Sequence, residues 1–229
     1  MRRIGVLGGM SWQSTIGYYR YINEEANARL GGRHSADLIV WSGDFEPVAR
    51  CTDSRDWEEL SRILVPAAKS LAAQGAEDMV IAANAAHSVA DMVEAYGGVP
   101  VVNIIDVTAH RLRDAGVETA AILGTAAVME DSFYRERMEA NGVTCVVPSE
   151  KAREEINRIV FEELVFGDVD DGSHRTLVDT IDVLADEGAE GVVLGCTELS
   201  LILDEDDGVI PGFDTTRIHA IAAIDAAMV

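Results

Sequence analysis

A short apolar run near the start of the chain, Ile4-Gly5-Val6-Leu7-Gly8, decides the fold, because it has the length and composition of a buried strand that leads into a glycine loop. The same pattern returns at Ala120-Ala121-Ile122-Leu123-Gly124, and further β-branched runs alternate with amphipathic helical stretches along the chain. Strand–helix alternation of this kind indicates parallel sheets that are covered by helices on both faces. We therefore predict an α/β fold.

The two halves of the sequence repeat one another in the same order. Residues 79–83, Met-Val-Ile-Ala-Ala, match residues 192–196, Val-Val-Leu-Gly-Cys, and residues 101–106 match residues 209–214. In this alignment Ala83 and Cys196 occupy equivalent places, each at the end of a predicted strand. Because ligands of such sheets bind beyond the carboxyl ends of the strands, both positions belong to loops where a site is expected.

The repeat predicts two pseudo-symmetric domains, residues 1–115 and 116–229. Each would hold a short, mostly parallel sheet flanked by helices, and the C-terminal helix could pack back on the first domain. The last strand is predicted at Val209–Pro211, on the basis of its apolar side chains.

Charge excludes several classes of partner. Eighteen Lys and Arg residues stand against 40 Asp and Glu residues, which gives a net charge of −22. Nucleic acid and anionic membranes would repel such a surface. There is no apolar stretch long enough for a membrane span, and the first apolar run is too short for a signal peptide. We expect a soluble, cytoplasmic protein, and the scarcity of lysine (Lys69 and Lys151) favours a halophilic source.

Three cysteines, an odd number without framework spacing, indicate reduced thiols rather than disulfides. No Cys/His cluster predicts a metal site. Cys196 is the strongest catalytic candidate, because it follows a strand and precedes a predicted helix start at Thr197, where the helix dipole would lower the pKa of the thiol. The alternative is a buried, inert cysteine. Cys51 and Cys145 have no such setting and are interpreted as structural.

Other loop residues carry weaker signals. Met10 and Ser11 follow the first strand in a glycine-rich loop that fits no nucleotide-binding motif and would let the backbone approach a small ligand. Thr197 and its neighbouring amides could hold a carboxylate, while Glu198 is more typical of a helix first turn. His87 is either a satisfied polar residue or a site group.

These blocks, taken together and in order, resemble the aspartate/glutamate racemase family, whose members work without pyridoxal phosphate. The resemblance covers nearly the whole chain and rests on residues 8–15 (GGMSWQST), 84–87 (NAAH), 124–125 (GT), 129–130 (ME), 133–134 (FY), 195–198 (GCTE) and 214–219 (DTTRIH). It implies two α/β domains in a homodimer, no cofactor, and an amino acid or dicarboxylate substrate between the domains. One cysteine per half would face the α-carbon, since inversion needs an acid and a base on opposite faces.

Carried over residue by residue, the resemblance implies a specific site. The catalytic positions are Cys196 and Ala83, the latter being the place of a missing partner. The residues implied to bind substrate are Met10, Ser11, Asn84, Ala85, Thr125, Thr197 and Glu198, with His87 and His219 in support.

The chain departs from the family pattern on one wall of that site. The family has Cys or sometimes Thr where this chain has Ala83, a Thr at the position of Ala85, and a further hydroxyl at the position of Val128. Because alanine carries no exchangeable proton, a two-thiol mechanism is excluded here.

Three functional hypotheses follow. The first is a racemase of aspartate or glutamate in which Cys196 is the only thiol and the opposite proton comes from water or from His87. The second is a single-thiol lyase or isomerase of small dicarboxylates, and the third is a non-catalytic protein that binds a carboxylate.

Overall fold

The computed structural model describes residues 1–229, and the chain divides into two compact units. Unit 1 comprises residues 1–107 together with 216–229, and unit 2 comprises residues 108–215. The units divide between residues 107 and 108, inside the helix Ile104–Asp114. The boundary predicted after residue 115 lies at the end of the same helix. None of the helices has the length and apolar character required to cross a membrane.

The strands of unit 1 are β1 (Ile4–Gly8), β2 (Leu38–Ser42), β3 (Asp78–Ile81) and β4 (Val101–Val102). They form a four-stranded parallel sheet in the order β2-β1-β3-β4. Its helices are α1 (Trp12–Leu30), α2 (Phe45–Ser54), α3 (Trp57–Ala73), a 3-10 turn (Ala85–Val89), α4 (Ala90–Gly97), α5 (Ile104–Asp114), which continues into unit 2, and α10 (Thr215–Ala227).

The strands of unit 2 are β5 (Thr119–Leu123), β6 (Thr144–Val146), β7 (Gly191–Leu194) and β8 (Gly212–Asp214). They repeat the arrangement of unit 1 in a fully parallel sheet with the order β6-β5-β7-β8. Its helices are α6 (Ala126–Glu130), α7 (Ser132–Ala140), α8 (Glu150–Glu162), a 3-10 turn (Leu164–Phe166), α9 (Asp171–Asp186) and a second 3-10 turn (Leu199–Leu201). The predicted α/β class with two similar parallel sheets is therefore confirmed.

The core of unit 1 has two layers because successive side chains of a strand point to opposite faces of the sheet. Leu7 packs on the face that α3 and α4 cover, whereas Ile4 and Val6 pack on the face that α1 and α10 cover. Ala220, Ala223, Ile224 and Ala227 of the C-terminal helix are buried in that second layer. The last helix of the chain therefore completes the core of the unit that holds the first strand.

The prediction of a strand at Val209–Pro211 is wrong, since β8 begins one residue later at Gly212. Proline has no amide hydrogen to donate to a ladder, and Pro211 takes part only through its carbonyl, which accepts from the Val192 amide at 2.9 Å. Val209 is 71% exposed, so its apolar side chain does not mark a buried strand. Helix α2 was not predicted, although Asp44 caps it by accepting from the Glu46 amide.

Candidate active site

Two glycines bring the loops after β5 and β7 of unit 2 into direct contact. A Cβ atom at Gly195 would lie 2.9 Å from the Leu123 carbonyl oxygen, and one at Gly124 would lie 3.0 Å from the Gly195 carbonyl oxygen. The Gly195 amide donates to the Leu123 carbonyl at 2.6 Å. Because a Cβ atom at either position would crowd main-chain atoms of the other loop, the glycines let Cys196 lie beside the loop that begins at Gly124.

Cys196 forms a compact hydrogen-bonded cluster with the two residues that follow it. Its Sγ donates to Glu198 Oε2 at 3.0 Å, and Thr197 Oγ1 donates to the same oxygen at 2.9 Å. All three side chains are buried, with Glu198 only 4% exposed. Glu198 Oε2 thus accepts two hydrogen bonds, one for each of its lone pairs. We call these three residues the thiol cluster.

The predicted helix start at Thr197 is wrong, and so is the lowered pKa that was expected from it. The chain after Cys196 forms only the three-residue 3-10 turn Leu199–Leu201, which is too short for an appreciable dipole. Burial raises the pKa of Cys196 well above its ordinary value, and the charge of Glu198 and its hydrogen bond raise it further. Hydrogen bonds from the backbone amides of Glu198 and Leu199 lower the pKa of Cys196, but their effect is smaller than that of burial and of Glu198. At neutral pH the resting group is a thiol.

Thr125 lies on the neighbouring loop and offers a hydroxyl without an internal partner. Its Oγ1 is buried and makes no hydrogen bond, although Thr125 occupies the position that precedes the first turn of α6. Val128, which is 3% exposed, packs against both Gly124 and Gly195 with its Cγ1 atom. Since an unsatisfied buried hydroxyl is costly, Thr125 is suited to bind an oxygen of a ligand.

The equivalent loop of unit 1 follows β3 and carries Ala83. Asn84 and His87 are buried at 3% and 4% exposure, whereas Ala83 and Ala85 are partly exposed. Ser14 on α1 ties this loop to the one after β1, since its hydroxyl donates to the Ala82 carbonyl at 3.1 Å. The loop therefore presents two methyl groups, and its polar side chains point into the protein.

His87 is occupied at both ring nitrogens by main-chain groups. Its Nε2 accepts from the Ile104 amide at 3.1 Å, and its Nδ1 lies 2.9 Å from the Ala83 carbonyl oxygen. Because an amide can only donate, Nε2 must be the acceptor and Nδ1 must carry the proton. His87 thus holds the Ala83 backbone in place, and it could supply a proton to a substrate only after breaking one of these bonds.

His219 has a similar structural role on α10. Its Nε2 lies 2.7 Å from the Val102 carbonyl oxygen and its Nδ1 lies 2.8 Å from the Tyr18 hydroxyl, so the ring donates to the former and accepts from the latter. Burial, with a smaller contribution from His87, lowers the pKa of His219 to about 3. Neutral His219 therefore ties α10 to β4 and α1.

The loop after β1 holds the two remaining predicted residues, Met10 and Ser11. Ser11 is buried, and its Oγ caps α1 by accepting from the Ser14 amide at 3.3 Å. Met10 is 5% exposed and belongs to the apolar core. A Cβ atom at Gly9, whose φ is +79°, would lie 2.7 Å from the Gly43 amide nitrogen, so the loop requires glycine.

Within each unit, the structure brings some of the predicted catalytic and substrate-binding residues together. Unit 2 brings together Cys196, Thr197 and Glu198 beside the loop of Thr125, and unit 1 brings the Ser11 loop against residues 82–87. Sequence reasoning missed Ser14 and Tyr18, and it did not pair Glu198 with the thiol. No group of three or more His, Cys, Asp or Glu side chains is arranged to hold a metal ion.

Comparison with known proteins extends these observations. A family model described as Asp/Glu/hydantoin racemase matches residues 7–223. An uncharacterized protein encoded in the pnlA 3' region of Pectobacterium carotovorum subsp. carotovorum is 28% identical over 105 residues, which are 46% of this chain and 69% of that protein.

Solved structures match over the full length of this chain. A candidate Asp/Glu racemase from Yersinia pestis is 41% identical with a TM-score of 0.92, and both chains are covered completely. An aspartate racemase homologue from Pyrococcus horikoshii OT3 is 36% identical with a TM-score of 0.86, again over 100% of both chains. An aspartate racemase from Picrophilus torridus, 21% identical with a TM-score of 0.79 over 100% of this chain and 95% of that one, shares the fold.

Proposed function

The chain belongs to the Asp/Glu/hydantoin racemase family, and we propose that it transfers the α-proton of an amino acid with Cys196 as its single reactive thiol and without a cofactor. The family resemblance of the sequence is thereby confirmed, while the catalytic assignment is our proposal. The observation that carries it is the hydrogen bond of 3.0 Å between the buried Cys196 Sγ and Glu198 Oε2. A thiol whose proton has a carboxylate acceptor within reach can alternate between acid and base.

The proton movements follow from this contact. The thiol proton passes from Cys196 Sγ to the Glu198 carboxylate, and the resulting thiolate takes the α-proton from the substrate. The substrate is left as a carbanion, which regains a proton either from the Cys196 thiol or from water. In the first case Glu198 returns its proton to the Cys196 thiolate, and in the second the hydroxide that is formed takes the proton from Glu198. The amides of Glu198 and Leu199, which lower the pKa of Cys196, favour the transient thiolate.

Substrate binding in unit 2 is assigned to Thr125. Its buried Oγ1 has no partner, whereas the Thr197 hydroxyl already donates to Glu198. We propose that Thr125 donates to the α-carboxylate of the substrate, while Thr197 keeps Glu198 in position. The proposed roles of Met10, Ser11 and Asn84 in binding stay predictions.

The resemblance implies that the residue of unit 1 equivalent to Cys196 serves the opposite face of the substrate, and we propose that this residue, Ala83, limits inversion. Ala83 carries no proton, and His87 is committed to the Ala83 carbonyl and the Ile104 amide. A proton for the opposite face of the substrate must therefore come from water. We expect exchange of the α-proton with solvent to be faster than inversion of configuration.

Several finer expectations stay predictions. Aspartate or glutamate as substrate, the homodimer, the cytoplasmic location and the halophilic character rest on resemblance or composition. The non-catalytic binder gains no support from the thiol cluster, because binding a carboxylate does not require a thiol paired with a buried carboxylate. The single-thiol lyase or isomerase gains no support from the matched proteins, which are described as racemases.

Proton NMR in D₂O tests the proposal. Aspartate, asparagine, glutamate, glutamine and alanine, each as both enantiomers, are incubated with enzyme in dilute buffer and in concentrated KCl. We expect loss of the α-proton signal with at least one of them, and no loss with Cys196→Ala. The control is Cys145→Ala, which removes a cysteine outside the thiol cluster. Absence of exchange with every amino acid, or equal exchange by Cys196→Ala, would refute the proposal.

A further inference from the structure

We infer that Asn157 is a positioning residue. It leaves the hydroxyl of Thr125 free to bind substrate, because it supplies a hydrogen-bond acceptor that the first turn of α6 needs. The inference rests on the proposed function, since it explains how the hydroxyl assigned to the substrate is kept available. All of the contacts that support it lie within unit 2.

Thr125 stands at a position whose side chain normally caps a helix. A threonine that precedes the first helical residue commonly accepts a hydrogen bond from an amide of the first turn. Thr125 has the extended backbone of such a residue, and its carbonyl accepts from the Val128 and Met129 amides at 2.9 and 3.0 Å. Its side chain nevertheless makes no capping bond, and Oγ1 is buried without a partner. The helix therefore does not use this hydroxyl.

Asn157 on α8 supplies an acceptor to the same turn from outside. Its Oδ1 accepts from the amide of Ala126, the first residue of α6, at 2.9 Å. The side-chain oxygen must face Ala126, because an amide N–H can bond only to an acceptor. Amides of a first helical turn have no partner inside their helix and need one elsewhere. Since Asn157 meets this need for Ala126, Thr125 can keep its hydroxyl for a ligand.

A second contact from α8 holds the other end of α6. Arg153 lies four residues before Asn157, which places the two side chains one turn apart on the same face of α8. The Nε of Arg153 lies 3.2 Å from Oε1 of Glu130, the last residue of α6. The short helix is thus attached to one face of α8 at both of its ends, and Thr125, which directly precedes it, is held in place with it.

The placement of α6 also matters for the thiol. Val128 of α6 packs with its Cγ1 against Gly124 and against Gly195, the residue before Cys196. A shift of α6 would therefore change both the direction of the Thr125 hydroxyl and its distance from Cys196. Because reacting groups tolerate displacements of only about 1 Å, the acceptor on Asn157 should influence substrate binding through Thr125.

Substitution of Asn157 tests the inference by the KM and kcat of α-proton exchange in D₂O, with the amino acid that exchanges fastest. Asn157→Leu has a side chain of similar size without an acceptor. We expect KM to rise about ten-fold, the loss of roughly one hydrogen bond to a charged group, with kcat little changed. Asn157→Asp keeps an acceptor oxygen and should restore most of the loss. Asn157→Ala replaces Asn157→Leu if circular dichroism shows that the latter does not fold.

A double variant distinguishes positioning of Thr125 from general support of the fold. Thr125→Val removes the hydroxyl and should itself raise KM by a similar factor. Adding Asn157→Leu to Thr125→Val should raise KM no further, because both changes remove the same interaction with substrate. The control is Asn141→Leu, which removes another bond from a side chain to the main chain of unit 2, that of Nδ2 to the Arg137 carbonyl at 2.9 Å. It should leave KM unchanged.

The outcomes separate this inference from the proposed function. If Asn157→Leu leaves KM unchanged, or if its effect multiplies with that of Thr125→Val, the inference is overturned and the thiol chemistry stands. An equal rise of KM in Asn141→Leu would also overturn it, because loss of stability would then explain the effect. If Thr125→Val has no effect, the inference fails with the role given to that hydroxyl, while exchange through Cys196 stands. If no amino acid exchanges its α-proton, the proposed function and the inference fail together.

Discussion

The loops after β3 and β7 occupy the same place in two sheets of the same strand order, yet their polar side chains form different kinds of hydrogen bond. After β7, the side chains of Cys196 and Glu198 bond to each other, and the thiol keeps a proton acceptor at 3.0 Å. After β3, the only titratable side chain, His87, bonds to main-chain groups at both nitrogens, and Ala83 supplies a methyl group. The loop after β7 therefore has a proton that can pass between two side chains, and the loop after β3 does not.

The difference shows that the fold preserves the backbone of a loop independently of its chemistry. His87 fixes the Ala83 carbonyl whatever side chain residue 83 carries, since the bond involves only the main chain. A catalytic group can therefore be lost from the first loop without loss of its shape. The same reasoning implies that a group can be restored there.

Restoring a thiol to the first loop should have the largest effect. We expect Ala83→Cys to raise the rate of inversion about 10²–10⁴-fold, which is the usual range for a positioned acid or base. The rate of inversion is followed by chiral chromatography on the substrate that exchanges best. Ala85→Cys, a partly exposed alanine two residues along the same loop, is the control and should give no such gain. An unchanged rate in a folded Ala83→Cys variant would break the equivalence of the two loops.

Acid should weaken unit 1 through His219. Its pKa in the folded protein, about 3, lies below the ordinary value of 6.5, so the neutral ring stabilises the fold above pH 6.5 and this stabilisation is lost as the pH falls toward 3. Between pH 7 and pH 5 the loss amounts to roughly 2 kcal/mol. Urea unfolding at both pH values measures it.

The control for this prediction is His219→Gln, which cannot titrate. It should be less stable than the natural protein at pH 7 but should lose about 2 kcal/mol less on going to pH 5. Equal losses in the two proteins would show that His219 is not the group responsible.

Removing the acceptor of the thiol proton should have an intermediate effect. Without the charge of Glu198, the pKa of Cys196 falls, yet the thiol also loses its base. We expect Glu198→Gln to slow α-proton exchange about ten-fold at neutral pH while its thiolate absorbance appears at lower pH. Glu187→Gln, at an exposed position on unit 2, should change neither quantity. A slower enzyme with an unshifted thiol titration would indicate a purely structural Glu198.

The smallest effect is expected at Tyr18. Tyr18→Phe removes the hydroxyl that donates to His219 Nδ1 at 2.8 Å and leaves a buried acceptor unsatisfied. The free energy of unfolding should fall by about 1 kcal/mol. Tyr96→Phe, at a side chain that is 62% exposed, should leave stability unchanged.

The fold could be predicted from the sequence because local patterns decide it. Apolar runs such as Ile4–Gly8 favour strands because they are short and end at glycine, and the repeated order of runs predicts two similar sheets. The error at Val209–Pro211 arose because apolar composition was given more weight than the missing amide of Pro211. Helix α2 was missed because it is short and contains Pro47 near its start.

The site was less predictable, because its decisive contacts depend on conformation. The contact between Cys196 and Glu198 joins residues two apart, and it requires the 3-10 turn that replaces the expected α-helix. Tyr18 and His219 are 201 residues apart, so no local pattern could pair them. The commitment of His87 to the backbone likewise depends on Ile104, which follows the next strand.

Unit 1 is interrupted in the sequence by the whole of unit 2, and this has a consequence during translation. On the ribosome, residues 108–215 emerge as one continuous segment and can fold as they appear. The sheet of unit 1, in contrast, exposes Ile4, Val6 and Val80 until Ala220, Ala223 and Ile224 have been synthesised. At ordinary elongation rates the nascent chain waits roughly 5–20 s in this state, which makes the first strands a natural target for chaperones.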